Sequence, residues 1–317
     1  TTPVASVRKQ LTARRGGASD ARLFVVVTIY PERTGRYYRL ALPGDMVIVQ
    51  KAMAELEKRK LAYTGSLSLV PDEPTPMGGG SGAGRAFSQR NYGMDTFEDL
   101  FTPRQALALT TLVRWVRQAG KELEGKHGDG LETAVQTCLA LAVDRQADYT
   151  SSLGRWHSTR ELIAATFGRQ ALPMVWDFAE VNPLSGAAGD FSGAFEWISK
   201  VCETNSVLKG AYGSANTASA TFHPLPNDLV QALITDPPYY DAVPYADLSD
   251  FFVVWLRRTV SNLHPNVFTD ELSPKDAECI VDEVKGKNKT YFENSMRQAM
   301  AEGHRILAPE GIGVVVF

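Results

Sequence analysis

Leu229-Val-Gln-Ala-Leu-Ile-Thr235 runs directly into Asp236-Pro237-Pro238-Tyr239, and this junction sets the expectation for the fold. The apolar residues from Val230 to Thr235 predict a short strand. Two consecutive prolines fix φ near −65° and bias the residue before them to extended geometry, so the strand must stop there in a stiff loop. Downstream, Leu248 to Val260 is amphipathic and aromatic, and Tyr291 to Leu307 predicts a long helix. Pro309-Glu-Gly311 then predicts a turn into a last, β-branched strand, Gly311-Ile-Gly-Val-Val-Val-Phe317. Strand, loop, helix, helix, turn and strand is the rhythm of an open α/β sheet, whose ligands sit at the carboxyl ends of the strands.

Upstream the pattern changes. Arg22 to Ile29 and Tyr37 to Leu42 predict a hairpin across Pro31-Glu-Arg-Thr-Gly-Arg36, followed by a helix from Asp45 to Lys60. The Pro- and Gly-rich stretch from Pro71 to Gly84 has no periodicity and predicts a flexible linker. Helices are expected from Thr102-Pro103 to Arg117, Leu131 to Tyr149, Arg160 to Phe167 and Ala194 to Lys209. The expected organisation is a small α+β segment over residues 1–75, a linker over 76–90 and a catalytic region over 91–317. Because the chain opens at Thr1 and stops inside an apolar run, both ends are expected to be cuts from a longer protein.

With 317 residues and a net charge of −3, the chain is large enough for a full core but does not suit nucleic-acid binding by bulk charge; such contact must be local. Cys138, Cys202 and Cys279 are too far apart in sequence for a local metal knuckle and form no Cys-x-x-Cys pair, so no metal is expected. No apolar run approaches 18 residues, which speaks against a membrane span and makes the cytoplasm the expected location.

The loop residues suit one kind of chemistry. An exocyclic amine on a nucleobase is a weak nucleophile because its lone pair is delocalised into the ring. The Asp236 carboxylate and the Pro237 carbonyl can accept both amine hydrogens and draw the nitrogen toward tetrahedral geometry, freeing the lone pair for a methyl sulfonium. Tyr239 offers a face on which a flipped base can stack. The same four residues also read as no more than a rigid turn.

Thr235-Asp-Pro-Pro-Tyr-Tyr-Asp241, continued by Pro244-Tyr-Ala-Asp-Leu-Ser-Asp-Phe-Phe252 and Trp255-Leu-Arg257, resembles the large bacterial and archaeal adenine-specific DNA methylases that carry a zinc-ribbon insertion. The resemblance extends over Tyr92-Gly-Met94, Asp99-Leu-Phe-Thr-Pro-Arg-Gln105, Arg155-Trp-His157, Phe167 to Glu180 and Asn182-Pro183. It implies a Rossmann-like, S-adenosylmethionine-dependent methyltransferase sheet, incomplete in this chain. It also implies transfer of a methyl group to the N6 amine of adenine in DNA, with Asp236, Pro237, Pro238 and Tyr239 as the catalytic loop. DNA is then the partner, with other subunits of a modification or defence system beside it, and restriction-modification is the implied setting. Cytosine, RNA or protein amines are alternative acceptors, and a non-catalytic DNA-binding module is the alternative to an enzyme.

Further candidates rest on weaker signals. Phe101, Thr102, Pro103 and Arg104 resemble a segment that opens a helix beside the methionine end of the cofactor, though an ordinary capped helix start has the same letters. Tyr212-Gly-Ser214-Ala215 is either a strand end near the cofactor adenine, with Ser214 in contact, or a plain turn. Arg155, Trp156 and His157, with Arg145, Arg160 and Arg169 nearby in sequence, are either a phosphate and stacking surface or a solvated face. Tyr240 and Tyr245 are candidate walls of a base pocket. The glycine loop expected after a first strand is missing, because Gly78 to Gly84 follows Pro74-Thr-Pro76 rather than a strand; cofactor affinity is expected to suffer.

Overall fold

The structure is a computed structural model that describes residues 2–79, 82–126, 130–207, 210, 213–241 and 243–316. Two compact units share the chain, one of residues 1–78, 87–207 and 247–273, the other of residues 79–86, 208–246 and 274–317.

The first unit carries α1 (Val4–Ala13), the strands β1 (Val25–Tyr30) and β2 (Arg33–Leu40), and the helices α2 (Pro43–Ala62), α3 (Pro103–Leu123) and α4 (Leu131–Tyr149). The short strands β3 (Arg155–His157) and β4 (Leu162–Ala164), then α5 (Phe191–Ser206) and most of α6 (Tyr245–Val260), complete it. Its core is helical. Thr102 Oγ1 accepts from the Gln105 amide (3.3 Å) while Gln105 Oε1 accepts from the Thr102 amide (2.9 Å), a reciprocal cap that starts α3. Ala106, Leu109, Val113 and Val116 then follow at helical spacing and are all buried. From α6, Phe251, Val254 and Trp255 are fully buried, and the Phe101 ring meets Trp255 edge-on at 5.3 Å. Each large side chain so buried stabilises the unit by roughly 1.5–3 kcal/mol.

The sheet differs from the expectation. Among the described residues the strands form three separate two-stranded sheets: β1 with β2 and β3 with β4 antiparallel, and β5 (Val230–Thr235) with β6 (Leu307–Val315) parallel. The Rossmann-like sheet is therefore corrected: an alternation of strands and helices does not decide which strands share a ladder. The Arg22 to Leu42 region closes on itself as a hairpin, and β3 and β4 satisfy each other over three residues. With the sheet, the terms methyltransferase, S-adenosylmethionine and adenine-specific lose the fold as their support. The helix expected from Arg160 to Phe167 is also corrected. Leu162 to Ala164 pairs with Arg155 to His157, after a turn in which Glu161 adopts φ 48°. Within the expected linker, Glu73 and Thr75 are buried; the Phe97 amide donates to Glu73 O (2.9 Å) and the Thr75 amide to Asp95 O (2.9 Å). Gly80 and Ser81 of the glycine run, Leu208 and Lys209 at the end of an expected helix, Tyr212 and Phe317 lie outside the described residues.

Two positions in the first unit yield predictions. Gly93 has φ +83°, and a Cβ there would stand 2.6 Å from Leu11 O and 3.0 Å from the Gly16 nitrogen, both backbone atoms. Gly93→Ala is expected to destabilise the unit by about 1–3 kcal/mol, read as a lowered melting temperature. The second position is Asp144 on α4, whose Oδ1 has no hydrogen-bond partner among the described residues and whose carboxyl is pushed well up by burial. The folded chain thus keeps this proton to higher pH than the unfolded chain does. Folding is unopposed by Asp144 below the unfolded value of about 4, and is increasingly opposed as pH rises toward the folded value. Asp144→Asn cannot ionise, so it is expected to melt about 2 °C or more above the parent at about pH 8 and level with it at about pH 4.

In the second unit, β5 and β6 pair from Ala232↔Ile312 to Thr235↔Val315, and Val316 N donates to Thr235 O (2.8 Å). Between Val230↔Leu307 and Ala232↔Ile312 the ladder slips, so Pro309-Glu-Gly311 bulges from the strand instead of preceding it. The helix α7 (Lys289–Ile306) feeds straight into β6. Near its end, Arg305 donates to the carbonyls of His223 (2.9 Å) and Leu225 (3.0 Å) and to Asn227 Oδ1 (2.8 Å). Glu302 steadies that guanidinium and is itself held at about 2, first by Arg305. The latch fixes the segment leading into β5. No helix of the described residues is long and apolar enough to cross a membrane.

Candidate functional site

The Asp-Pro-Pro-Tyr loop leaves the carboxyl end of β5, where the Thr235 carbonyl is tied to β6. Asp236 is exposed, Pro237 and Pro238 are half-buried, and Tyr239 is 49 % exposed. Among the described residues, neither the Asp236 carboxylate nor the Pro237 carbonyl accepts a hydrogen bond. The acceptors that sequence reasoning paired are thus both unengaged, on a loop whose prolines limit its motion.

The rest of the loop is anchored. The Tyr240 carbonyl accepts from the Val281 amide (2.9 Å), and its ring meets Phe292 of α7 edge-on at 5.2 Å. Val243 is buried, and Tyr245, 47 % exposed, opens α6. Glu278 caps that helix: its Oε1 accepts from the Ala246 amide (2.9 Å), a carboxylate at the positive end of the helix dipole. Its Oε2 is buried without a hydrogen-bond partner among the described residues. Lys287, 6 % exposed, donates to the carbonyls of Lys275 and Glu278 and ties this return segment together. Burial pushes its ammonium down. Sequence reasoning missed Glu278, Lys287 and Phe292. They belong to no motif, and only the return of the chain from Pro274 to α7 brings them behind the loop.

The other candidates are placed elsewhere. Phe101 is packed in the core, Thr102 is spent on its own cap, and Pro103 occupies the first position of α3. Arg104 directs Nε (2.9 Å) and Nη2 (2.5 Å) to the Glu180 carboxylate. These residues therefore present no free cation and no open helix end to a cofactor carboxylate, and they do not fit that role as they stand. Ser214 is exposed in irregular chain, with Tyr212 beside it outside the described residues. Arg155 is exposed on β3, where Trp156 and His157 are half-buried. The structure thus groups Asp236, Pro237, Pro238, Tyr239, Tyr240 and Tyr245 in the second unit, and places Phe101 to Arg104 and Arg155 to His157 in the first.

No family model, curated protein or solved structure matches the chain, so the functional reading rests on its own residues.

Proposed function

We propose that the Asp236–Tyr239 loop holds the exocyclic amine of a nucleobase, adenine in DNA, as the acceptor of a methyl group. One observation carries this: among the described residues the Asp236 carboxylate and Pro237 carbonyl are both unengaged, next in the chain to a half-exposed tyrosine ring, at the carboxyl end of a strand. Two acceptors match the two hydrogens of a primary amine. The ring offers a stacking face that offsets part of the few kcal/mol needed to unstack a base. Pro237 and Pro238 hold these groups in place, so little order is lost when the base arrives. The letters that resemble adenine-specific DNA methylases support adenine over other amines. The donor in this reading is S-adenosylmethionine, whose sulfonium supplies the methyl group. The residues named above act on the acceptor side alone.

The test is mass spectrometry of modified bases in DNA from cells expressing the chain, beside an Asp236→Ala version. New N6-methyladenine that requires Asp236 supports the reading. Methylcytosine would transfer it to another base, and no new modified base from folded protein would count against methyl transfer to DNA.

A further inference from the structure

The first unit brings two antiparallel pairs together at one place. The hairpin of β1 and β2 meets the turn between β3 and β4 through two residues of β2. Arg36 Nε donates to the Glu161 carbonyl (3.2 Å) and Nη1 to the Gly35 carbonyl (3.5 Å). Its Nη2 keeps no partner among the described residues, so the guanidinium is held by carbonyls and makes no ion pair with a carboxylate there. Tyr38, 50 % exposed, donates its hydroxyl to Glu161 Oε1 (2.9 Å) and sets its ring edge-on to Trp156 at 6.2 Å. Arg36 and Tyr38 alternate on one face of β2. Arg155 and Arg160 are exposed on and beside β3, and neither reaches a carboxylate within ion-pair distance among the described residues. The His157 Nδ1 accepts from the Arg160 amide (3.3 Å) and orders that turn.

The carboxylates facing this place are few. Glu161 is occupied by the Tyr38 hydroxyl, and Asp177, exposed, precedes Phe178, which bridges to Arg155. In a chain of net charge −3, three guanidiniums against the carboxylates of Glu161 and Asp177 leave a local excess of one positive charge. The exposed Tyr38 ring and the half-buried Trp156 ring lie among them.

We infer that Arg36, Tyr38, Arg155, Trp156 and Arg160 form a binding surface for single-stranded DNA. Guanidiniums recognise phosphates without regard to sequence, and aromatic rings accept base faces that a duplex keeps stacked on one another. Arg36 is the pre-oriented cation of the set, because its main-chain contacts fix the plane of the guanidinium before a phosphate arrives. Tyr38 is the platform, with Glu161 setting its angle. The choice of DNA as the strand rests on the proposed function; the surface itself stands on the first unit alone.

The experiment is fluorescence anisotropy of the intact chain with labelled oligonucleotides of one sequence, as single-stranded DNA, duplex DNA and single-stranded RNA, at several salt concentrations and with no methyl donor. Single-stranded DNA is expected to bind tightest. Tyr38→Ala is expected to weaken it about tenfold. The triple variant Arg36→Gln, Arg155→Gln and Arg160→Gln is expected to flatten the slope of log affinity against log salt by about 2. Tyr38→Phe keeps the ring and is expected to bind more tightly than Tyr38→Ala. Circular dichroism checks that each variant is folded. An unchanged salt slope in the folded triple variant, or tighter binding of duplex or RNA, overturns the inference. Methylation by Asp236→Ala tests the proposed function and the salt slope of the triple variant tests this surface, so the two fail separately.

Discussion

Asp236→Ala is expected to lower the rate of amine methylation by about 10²–10³ or more, with the affinity for DNA nearly unchanged. The magnitude is that of removing one preorganised polar partner from a reacting centre. In the proposed reading the carboxylate takes one of two amine hydrogens, and without it the nitrogen stays planar and its lone pair stays in the ring. The effect therefore falls on kcat. Tyr239→Ala acts at a different stage: it removes the face on which the extruded base rests, so KM is expected to rise about tenfold. Neither substitution should unfold the chain. Asp236 is exposed, and its side chain accepts no hydrogen bond among the described residues. Tyr239 is half-exposed and stacks on no other ring among them. Surface changes of this kind stay within about 0.5 kcal/mol. Steady-state kinetics with a DNA substrate, paired with thermal melting, separates the two roles. Equal loss of kcat and raised KM in both variants would sink the division of labour.

The largest expected loss of stability lies in the first unit, at Arg258 of α6. Its side chain is 3 % exposed and Glu73's is 2 % exposed, with Arg258 Nη1 2.8 Å from Glu73 Oε1. Arg258 also donates to the carbonyls of Ser68 (2.7 Å) and Val254 (2.8 Å), and Arg257 reaches Glu73 Oε1 at 3.3 Å. The pair pins the segment around Glu73 to α6. Arg258→Met leaves a buried carboxylate facing Arg257, and Glu73→Leu leaves a buried guanidinium with its main-chain partners and the more distant, exposed Asp72 (3.5 Å). Each single change is expected to cost about 3–5 kcal/mol. The double change removes both fully buried charges at once and is expected to cost less than either single change, because Arg257, which loses Glu73, is less buried and keeps the Glu271 carbonyl. Chemical denaturation of the three variants measures this. Additive losses in the double variant would mean that the two residues act independently.

Local structure was largely legible. Thr102-Pro103 announced the start of α3, the apolar spacing of Leu131 to Tyr149 announced α4, and the run before Asp236 announced β5. Each of these is decided by neighbours within a few residues, which is where capping, proline geometry and periodicity act. Arg160 to Phe167 failed because its apolar residues suit a helix as well as a strand, and the partner that decided the matter, Arg155 to His157, acts through a ladder. The stretch around Glu73 misled for a related reason. Proline-rich sequence has no periodic signature, so its burial against Arg258, 185 residues away, left no mark in the local pattern.

What the sequence by itself determined is the chemistry on offer: a strand that must end at Asp236, a carboxylate and a carbonyl stiffened by two prolines, and a tyrosine ring beside them. These follow from covalent geometry and side-chain type, which need no distant partner. The hairpin of β1 and β2 was legible, but only the tertiary structure decided how the other strands pair: among the described residues it made two separate two-stranded sheets of them where alternation suggested one open sheet. It alone placed Glu278 at the start of α6, spent Arg104 on Glu180, and set Arg36 beside Glu161 and Tyr38 beside Trp156. Those arrangements depend on hydrogen bonds and packing between residues far apart in the chain, where each side chain has many partners of suitable type and the fold selects among them.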